Sequence, residues 1–184
     1  MRFLLDANVV FDFQHSGQLK ALADAAGKLD LAFAEQVADE ACLVRAGDSA
    51  ETVGKKREAD RILRGSTFST IEILPGSPEA ALMAALLSPL RNVEKKDQGE
   101  AASIAVASTD VSVVFVTGDT KAVLWALNEL YGSGERVMRT PVFVRRLYDK
   151  GALSANTIAR VAARVAGRGA PPTWWASWLA SIRR

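Results

Sequence analysis

The sequence predicts an α/β fold with a central, mostly parallel sheet covered by helices on both faces. Two observations lead to this prediction. Short apolar runs typical of buried strands alternate along the chain with segments whose apolar residues recur at helical spacing. Several of the apolar runs also end at polar or turn-forming residues, as the strands of a parallel sheet do where ligands bind beyond their carboxyl ends.

The first part of the chain provides three strands. Residues 2–5 form an apolar run that stops at Asp6, and residues 28–34 alternate apolar and polar positions. Residues 70–74 form a third strand before Pro75-Gly76. The helical segments between and after these strands share apolar residues three or four positions apart. They are residues 9–26, as two short helices divided at Ser16-Gly17, then 35–44, 50–64 and 79–87.

The second part continues the alternation. Helix 101–108 is opened by Asp97-Gln98-Gly99-Glu100 and leads to strand 113–116, which ends at Thr117-Gly118-Asp119. An edge strand is expected near Val137. The remaining predicted segments are helices, at residues 121–130, 141–150, 154–166 and 172–182. We therefore expect one domain over residues 1–150 and a basic, tryptophan-containing helical extension over 151–184.

Composition excludes several classes of protein. With 49% hydrophobic and 24% charged residues the chain should fold, and no run of about 20 apolar residues predicts a membrane span, so we expect a cytoplasmic protein. The single cysteine, Cys42, cannot form an internal disulfide or a cysteine zinc cage. The single histidine, His15, excludes mechanisms that need a histidine pair.

Charge is divided unevenly along the chain. Residues 1–135 contain 13 Lys and Arg against 20 Asp and Glu, a balance of −7, whereas residues 136–184 contain 10 against 1, a balance of +9. This division indicates a body that attracts cations and an end that attracts anionic ligands, although solvated arginine helices would give the same count.

Four acids occupy positions that a parallel sheet can bring together. Asp6 and Asp119 follow strands, while Glu40 and Glu100 lie near the ends of helices. Carboxylates placed close together repel one another, and Mg²⁺ or Mn²⁺ neutralises them through the oxygen ligands it prefers. Cations held in this way support hydrolysis of phosphodiesters.

The segments around these acids resemble the PIN-domain family. Phe3-Leu4-Leu5-Asp6-Ala7-Asn8 is similar to the family's opening strand and Asp-x-Asn, and Gln36-Val37-Ala38-Asp39-Glu40 to its first-helix segment. Gly99-Glu100-Ala101-Ala102-Ser103-Ile104-Ala105 resembles the Gly-Glu-x-x-x-Ile-Ala helix of one branch. Val116-Thr117-Gly118-Asp119 resembles the final strand and acid. The order and intervals agree over roughly residues 1–145.

The resemblance implies a Rossmann-like three-layer α/β/α sandwich and a metal-dependent endoribonuclease that hydrolyses single-stranded RNA with Mg²⁺ or Mn²⁺. It implies Asp6, Glu40, Glu100 and Asp119 as catalytic metal ligands. Many relatives are toxins, usually dimeric and paired with an antitoxin, so an antitoxin partner and a homodimer are expected. Many PIN sequences have Asp where Glu100 stands, and Asp97, one helical turn earlier, is a competing ligand.

Other residues have a structural and a functional interpretation. Asp97 is favoured as the N-cap of the helix that Glu100 enters. Asn8 either positions Asp6 or a metal-bound water, or forms an Asx turn. Thr117 is favoured slightly as a ligand of substrate phosphate over a residue that only completes its strand.

The basic end offers candidate RNA contacts. Arginines that would contact phosphate without reading sequence are Arg145, Arg146, Arg160, Arg164 and Arg168. Trp174, Trp175 and Trp178 could stack on bases, but their spacing favours an amphipathic helix that docks on the body or on a partner.

Two other functions remain open. A haloacid-dehalogenase-like phosphatase also has an acid after its first strand, but it needs a second Asp where Asn8 stands. A non-catalytic module could keep the sandwich and bind RNA or protein through its basic end. Retention of all four acids favours the nuclease.

Overall fold

Strands and helices alternate along most of the chain in the computed structural model, which describes residues 1–65, 68–88, 97–130, 134–167 and 171–182. The five strands are β1 Arg2–Leu5, β2 Leu31–Ala34, β3 Ser69–Ile71, β4 Val113–Thr117 and β5 Val137–Arg139. The helices are α1 Ala7–His15, α2 Leu19–Ala26, α3 Glu35–Cys42, α4 Ala50–Arg64, α5 Pro78–Leu86, α6 Gln98–Thr109, α7 Thr120–Glu129, α8 Thr140–Asp149, α9 Ala155–Gly167 and α10 Trp175–Ile182.

The strands form one sheet in the order β3-β2-β1-β4-β5, and each neighbouring pair is parallel. All carboxyl ends therefore lie at one edge, which we call the carboxyl edge. The prediction of an α/β fold is confirmed, and the described strands are parallel throughout rather than mostly so.

Alternate residues of the strands bury themselves in two different cores. Phe3 and Leu5 of β1 belong to a core that also contains apolar residues of α1 to α4, α8, α9 and α10. Leu4, between them, belongs to a second core formed with α5, α6 and α7. Because successive strand residues point to opposite faces, the result is a three-layer α/β/α sandwich, as predicted.

Local sequence explains several element boundaries. Gly17, at φ +68°, separates α1 from α2, a backbone conformation that glycine adopts without steric cost. Ser49 and Ser77 cap α4 and α5. The side-chain oxygen of each serine accepts the backbone N–H of the third residue of its helix. β2 begins at Leu31 rather than Lys28, because the backbone N–H groups of Lys28 and Leu29 both donate to the carbonyl of Ala25 and prolong the turn after α2.

The C-terminal helices lie against the same body. Ile158, Val161 and Val165 of α9 are buried in the first core, as is Trp175 of α10, which is 2% exposed. Trp178 packs edge-on against Tyr148 of α8, with ring centroids 5.8 Å apart. The tryptophan helix is therefore docked in this structure. Within the described ranges, no helix has the length and apolar character needed to cross a membrane.

Candidate metal centre

Asp6 lies at the middle of the carboxyl edge. Its backbone N–H donates to the carbonyl of Val116, at 2.9 Å, which fixes the end of β1 against the end of β4. Its side chain is completely buried. Oδ2 accepts hydrogen bonds from Thr117 Oγ1 at 2.7 Å and from Asn8 Nδ2 at 3.2 Å, whereas Oδ1 is buried with no hydrogen-bond partner in the described part of the chain.

Burial dominates the protonation of Asp6. Removal from water raises the pKa of its carboxyl group, the hydrogen bonds from Thr117 and Asn8 lower it, and the charge of Asp119 raises it further. The net direction is upward. A completely buried carboxylate with one unpaired oxygen is costly unless another group compensates its charge.

Glu40 is carried to the same place by the close packing of α3 on α6. Gly99 of α6 makes this approach possible, because a Cβ atom there would lie 2.9 Å from Glu40 Oε2 and 3.2 Å from Val37 Cγ2. Glu40 Oε2 is buried and unpaired among the described residues. Burial first, and then the charge of Asp6, raise the pKa of Glu40 to about 7, while a backbone hydrogen bond from Gly99 opposes the shift.

Glu100, next to Gly99 in the first turn of α6, connects the acids electrostatically. Burial raises the pKa of its carboxyl group to about 8, followed in order of effect by the charges of Asp6, Asp119, Asp97 and Glu40. Every acid predicted for the site therefore acts on Glu100. Four carboxylates from β1, α3, α6 and the end of β4 meet in one electrostatic cluster, which we call the acid cluster: Asp6, Glu40, Glu100 and Asp119, with Asp97 beside it.

Asp119 has a structural role as well. Its Oδ1 accepts the backbone N–H groups of Lys121 at 2.6 Å and Ala122 at 3.4 Å, and so caps α7. Its own backbone N–H donates to Thr117 Oγ1 at 3.1 Å. Thr117 thus connects Asp119 to Asp6.

One prediction about a neighbouring residue needs correction. The cap expected at Asp97 is absent: it is the residue before α6, but its side chain makes no capping bond, since its backbone (φ −93°, ψ 6°) lies outside the extended conformation of capping residues. The predicted contact of Thr117 with substrate phosphate stays a prediction. A hydroxyl group has one proton to donate, and Thr117 gives it to Asp6.

The acid cluster is open rather than closed around a cation. Among the described residues no three Asp, Glu, His or Cys side chains form a ready-made metal-binding group. Like charges repel, and hydrogen bonds already hold Asp6 Oδ2 and Asp119 Oδ1. The unpaired oxygens, Asp6 Oδ1 and Glu40 Oε2, are the hard donors that Mg²⁺ or Mn²⁺ prefers. The donor set therefore fits such a cation.

The predicted phosphate-binding arginines that the structure describes lie on α8 and α9. The guanidinium of Arg145 stacks over Trp174, 5.1 Å from the ring centroid, and lies 3.7 Å from Asp149 Oδ2. Arg146 stacks over Phe3 at 5.3 Å. Arg160 and Arg164 are exposed on α9, and Arg168 lies outside the described residues. Their contact with RNA stays a prediction.

Sequence reasoning missed Arg139 and Thr140, at the carboxyl end of β5. Arg139 Nε and Thr140 Oγ1 are both buried and lack hydrogen-bond partners among the described residues. The available signal was a charged residue at the end of a short edge strand, immediately before a helix that starts with Thr-Pro.

Comparison of the chain with protein-family models, curated proteins and solved structures gave no match. The likeness to PIN domains therefore depends on the four sequence motifs quoted above.

Proposed function

We propose that the chain is a cytoplasmic, metal-dependent endoribonuclease that hydrolyses phosphodiester bonds of single-stranded RNA, with Mg²⁺ or Mn²⁺ as its cofactor. The observation that supports this proposal is the acid cluster at the carboxyl edge. Burial and mutual repulsion raise the pKa values of Asp6, Glu40 and Glu100 together. Such uncompensated charge is typical of a site for a divalent cation.

Each residue has a role in this proposal. Asp6 and Glu40 offer unpaired oxygens to the cation, and Glu100 and Asp119 complete the set, with Asp97 as a further candidate ligand. Thr117 and Asn8 hold the Asp6 carboxylate through Oδ2 and so keep its Oδ1 available. A cation bound here would supply Lewis-acid polarisation of the phosphodiester and activation of the attacking water.

The direct test is cleavage of labelled single-stranded RNA by the full chain with Mg²⁺ or Mn²⁺, in parallel with excess chelator. Asp6→Asn should abolish cleavage, since it removes the central charge and preserves side-chain shape. Asp39→Asn is the matched control, because Asp39 neighbours Glu40 in sequence but pairs with Arg64 at 2.6 Å, and it should cleave normally. Cleavage that persists in chelator, or in Asp6→Asn, would contradict the proposal.

The open geometry favours one alternative, a non-catalytic module that binds RNA or protein. Its acid cluster would bind no cation, and the basic end, with its balance of +9 over residues 136–184, would provide the contacts. Tight RNA binding without cleavage under every metal condition would favour this alternative.

The resemblance to toxins also extends the proposal to an antitoxin partner and a homodimer. Light scattering would test both, on the chain alone and on the chain co-expressed with a candidate antitoxin.

A further inference from the structure

Two polar atoms at the carboxyl edge, one on Arg139 and one on Thr140, have no hydrogen-bond partner among the described residues. Arg139 is the last residue of β5 and Thr140 is the first of α8. Thr140 is 1% exposed, and both its Oγ1 and Arg139 Nε are buried without hydrogen-bond partners in the described part of the chain. Because buried polar groups are nearly always paired in proteins, the orphaned Nε of Arg139 at the carboxyl edge indicates a place for a ligand.

Strand register places Arg139 in line with the acid cluster. Thr117 of β4 is opposite Arg139 of β5, and the pairing of Leu5 with Val116 brings Asp6 beside Thr117. Adjacent strands are about 5 Å apart, so Arg139 begins one strand from Thr117 and two from Asp6. Asp6, Thr117 and Arg139 therefore form a row across three neighbouring strands.

The three side chains also share a face of the sheet. Residues opposite one another in a parallel pair point to the same face, and successive residues alternate. Val137, two residues before Arg139, packs in the second core with Phe115, two residues before Thr117. Met138, between Val137 and Arg139, packs against the first core. Arg139 therefore lies on the same side of the sheet as the Thr117 hydroxyl that binds Asp6.

This arrangement addresses a difficulty with an anionic substrate. The acid cluster alone repels a phosphodiester, and the guanidinium groups of Arg145 and Arg146 stack on the rings of Trp174 and Phe3. Arg139 instead has a partly exposed side chain at the edge where the acids lie. An arginine presents several N–H donors in a planar fork that matches two oxygens of a phosphate.

We propose that Arg139 binds the non-bridging oxygens of the RNA phosphodiester that lies at the acid cluster, as a substrate-positioning residue. This inference rests on the proposed function, and it assigns a phosphate contact to a residue outside the quoted motifs. It makes the backbone phosphate, rather than a base, the group recognised at this end of the row.

The test measures binding of fluorescently labelled single-stranded RNA to the full chain by anisotropy, in Ca²⁺ in place of Mg²⁺, with RNA integrity checked on gels. Arg139→Gln should bind about tenfold more weakly, the effect of losing one charge-assisted contact. The slope of log affinity against log salt should become shallower by about 0.7, the value for one single-strand phosphate. Arg139→Lys should restore the slope and only part of the affinity, since it keeps the charge without the fork.

Arg61→Gln is the matched control, because it removes the same charge from an exposed position on α4, and its affinity should fall less than that of Arg139→Gln. A second measurement changes the RNA as well as the protein: RNA with one neutral methylphosphonate at the cleaved position should bind the unmodified chain more weakly. In Arg139→Gln the same modification should lower the RNA affinity little further, because the contact with that phosphate is already lost.

The outcomes separate the two proposals. If the chain binds and cleaves RNA but Arg139→Gln keeps its affinity, its salt slope and its sensitivity to the methylphosphonate, the phosphate assignment is overturned and the nuclease stands. If the unmodified chain neither binds nor cleaves RNA, the proposed function fails and this inference fails with it. Should Arg139→Gln not fold, the Arg139→Lys and methylphosphonate results decide.

Discussion

Helix α3 has two sides that treat negative charge differently. On the exposed side, Glu35 and Asp39 share the guanidinium of Arg64 with Asp60, at distances of 3.8, 2.6 and 2.8 Å. On the other side, Glu40 faces Asp6 and Asp97, and the pKa of Glu40 rises to about 7. Asp39 and Glu40 are adjacent in sequence, so their different surroundings come entirely from the helix face each occupies.

The two sides of α3 differ in whether their acids have a positively charged partner. Exposed acids that share an arginine are solvated and paired, and such pairs contribute little to stability. The acid cluster has its central member, Asp6, completely buried, and its hydrogen bonds come from neutral groups, Thr117 and Asn8. This arrangement is costly for folding alone, and it is the reason why we propose a divalent cation as its ligand.

The largest expected effect is on the pH dependence of stability in chelator. Glu40 and Glu100 have folded-state pKa values of about 7 and 8 against an ordinary 4.5, so the folded chain retains protons that the unfolded chain releases. Their contribution is fully present below about pH 4.5 and is lost as the pH rises through 7 and 8. The melting temperature should therefore fall by several degrees between about pH 5.5 and pH 8.5.

Two variants sharpen this measurement. Glu100→Gln should flatten the upper part of the curve, because it removes the group with the higher pKa. Asp39→Asn should leave the curve parallel to that of the unmodified chain, since its partner is Arg64. A curve that is flat for the unmodified chain, or equally steep in Glu100→Gln, would show that deprotonation of these glutamates does not destabilise the fold.

A smaller effect is expected at Gly99, where α6 approaches α3. Gly99→Ala places a methyl group 2.9 Å from Glu40 Oε2 and 3.2 Å from Val37 Cγ2, so it should displace Glu40 and weaken metal binding by about tenfold or more. Gly54→Ala is the control, because nothing lies within 4 Å of the added atom in α4, and it should stabilise the chain by about 0.5–1 kcal/mol. If Gly99→Ala gains the same stability and keeps metal affinity, the close approach does not position Glu40.

The smallest effect is expected on the paired side of α3. Asp39→Asn removes one partner of Arg64, which keeps Asp60 at 2.8 Å. The free energy of unfolding should change by less than about 1 kcal/mol, as measured by urea denaturation at pH 7. A larger loss of unfolding free energy would mean that the ion pairs on this side of α3 contribute substantially to stability.

The sequence predicted the fold well because its signals are local. The continuous apolar runs that became β1 and β4, the break at Gly17 and the serine residues before α4 and α5 each act within a few residues. The ends of short strands were less well placed: β2 begins three residues later than expected, because the carbonyl of Ala25 captures two N–H groups.

Site details that depend on tertiary contacts could not be read from the sequence. Asp6, Glu40, Glu100 and Asp119 were expected at one edge from topology and resemblance, and they lie there, but their roles as ligands stay a prediction. The capture of the Thr117 proton by Asp6 needed the distance between β1 and β4. Arg139 was missed because its proposed role depends on the pairing of β5 with β4. In that pairing it lies opposite Thr117, 22 positions earlier in the chain.

The most direct measurement of the central claim is calorimetric titration of the full chain with Mn²⁺ at pH 7, in two buffers of different ionisation enthalpy. We expect saturable binding with release of protons, because carboxyl groups with pKa values of about 7 and 8 must ionise to bind the cation. Binding should be lost in Asp6→Asn, weakened in Glu100→Gln and unchanged in Asp39→Asn. Absence of saturable binding in the unmodified chain, or equal loss in Asp39→Asn, would contradict the account.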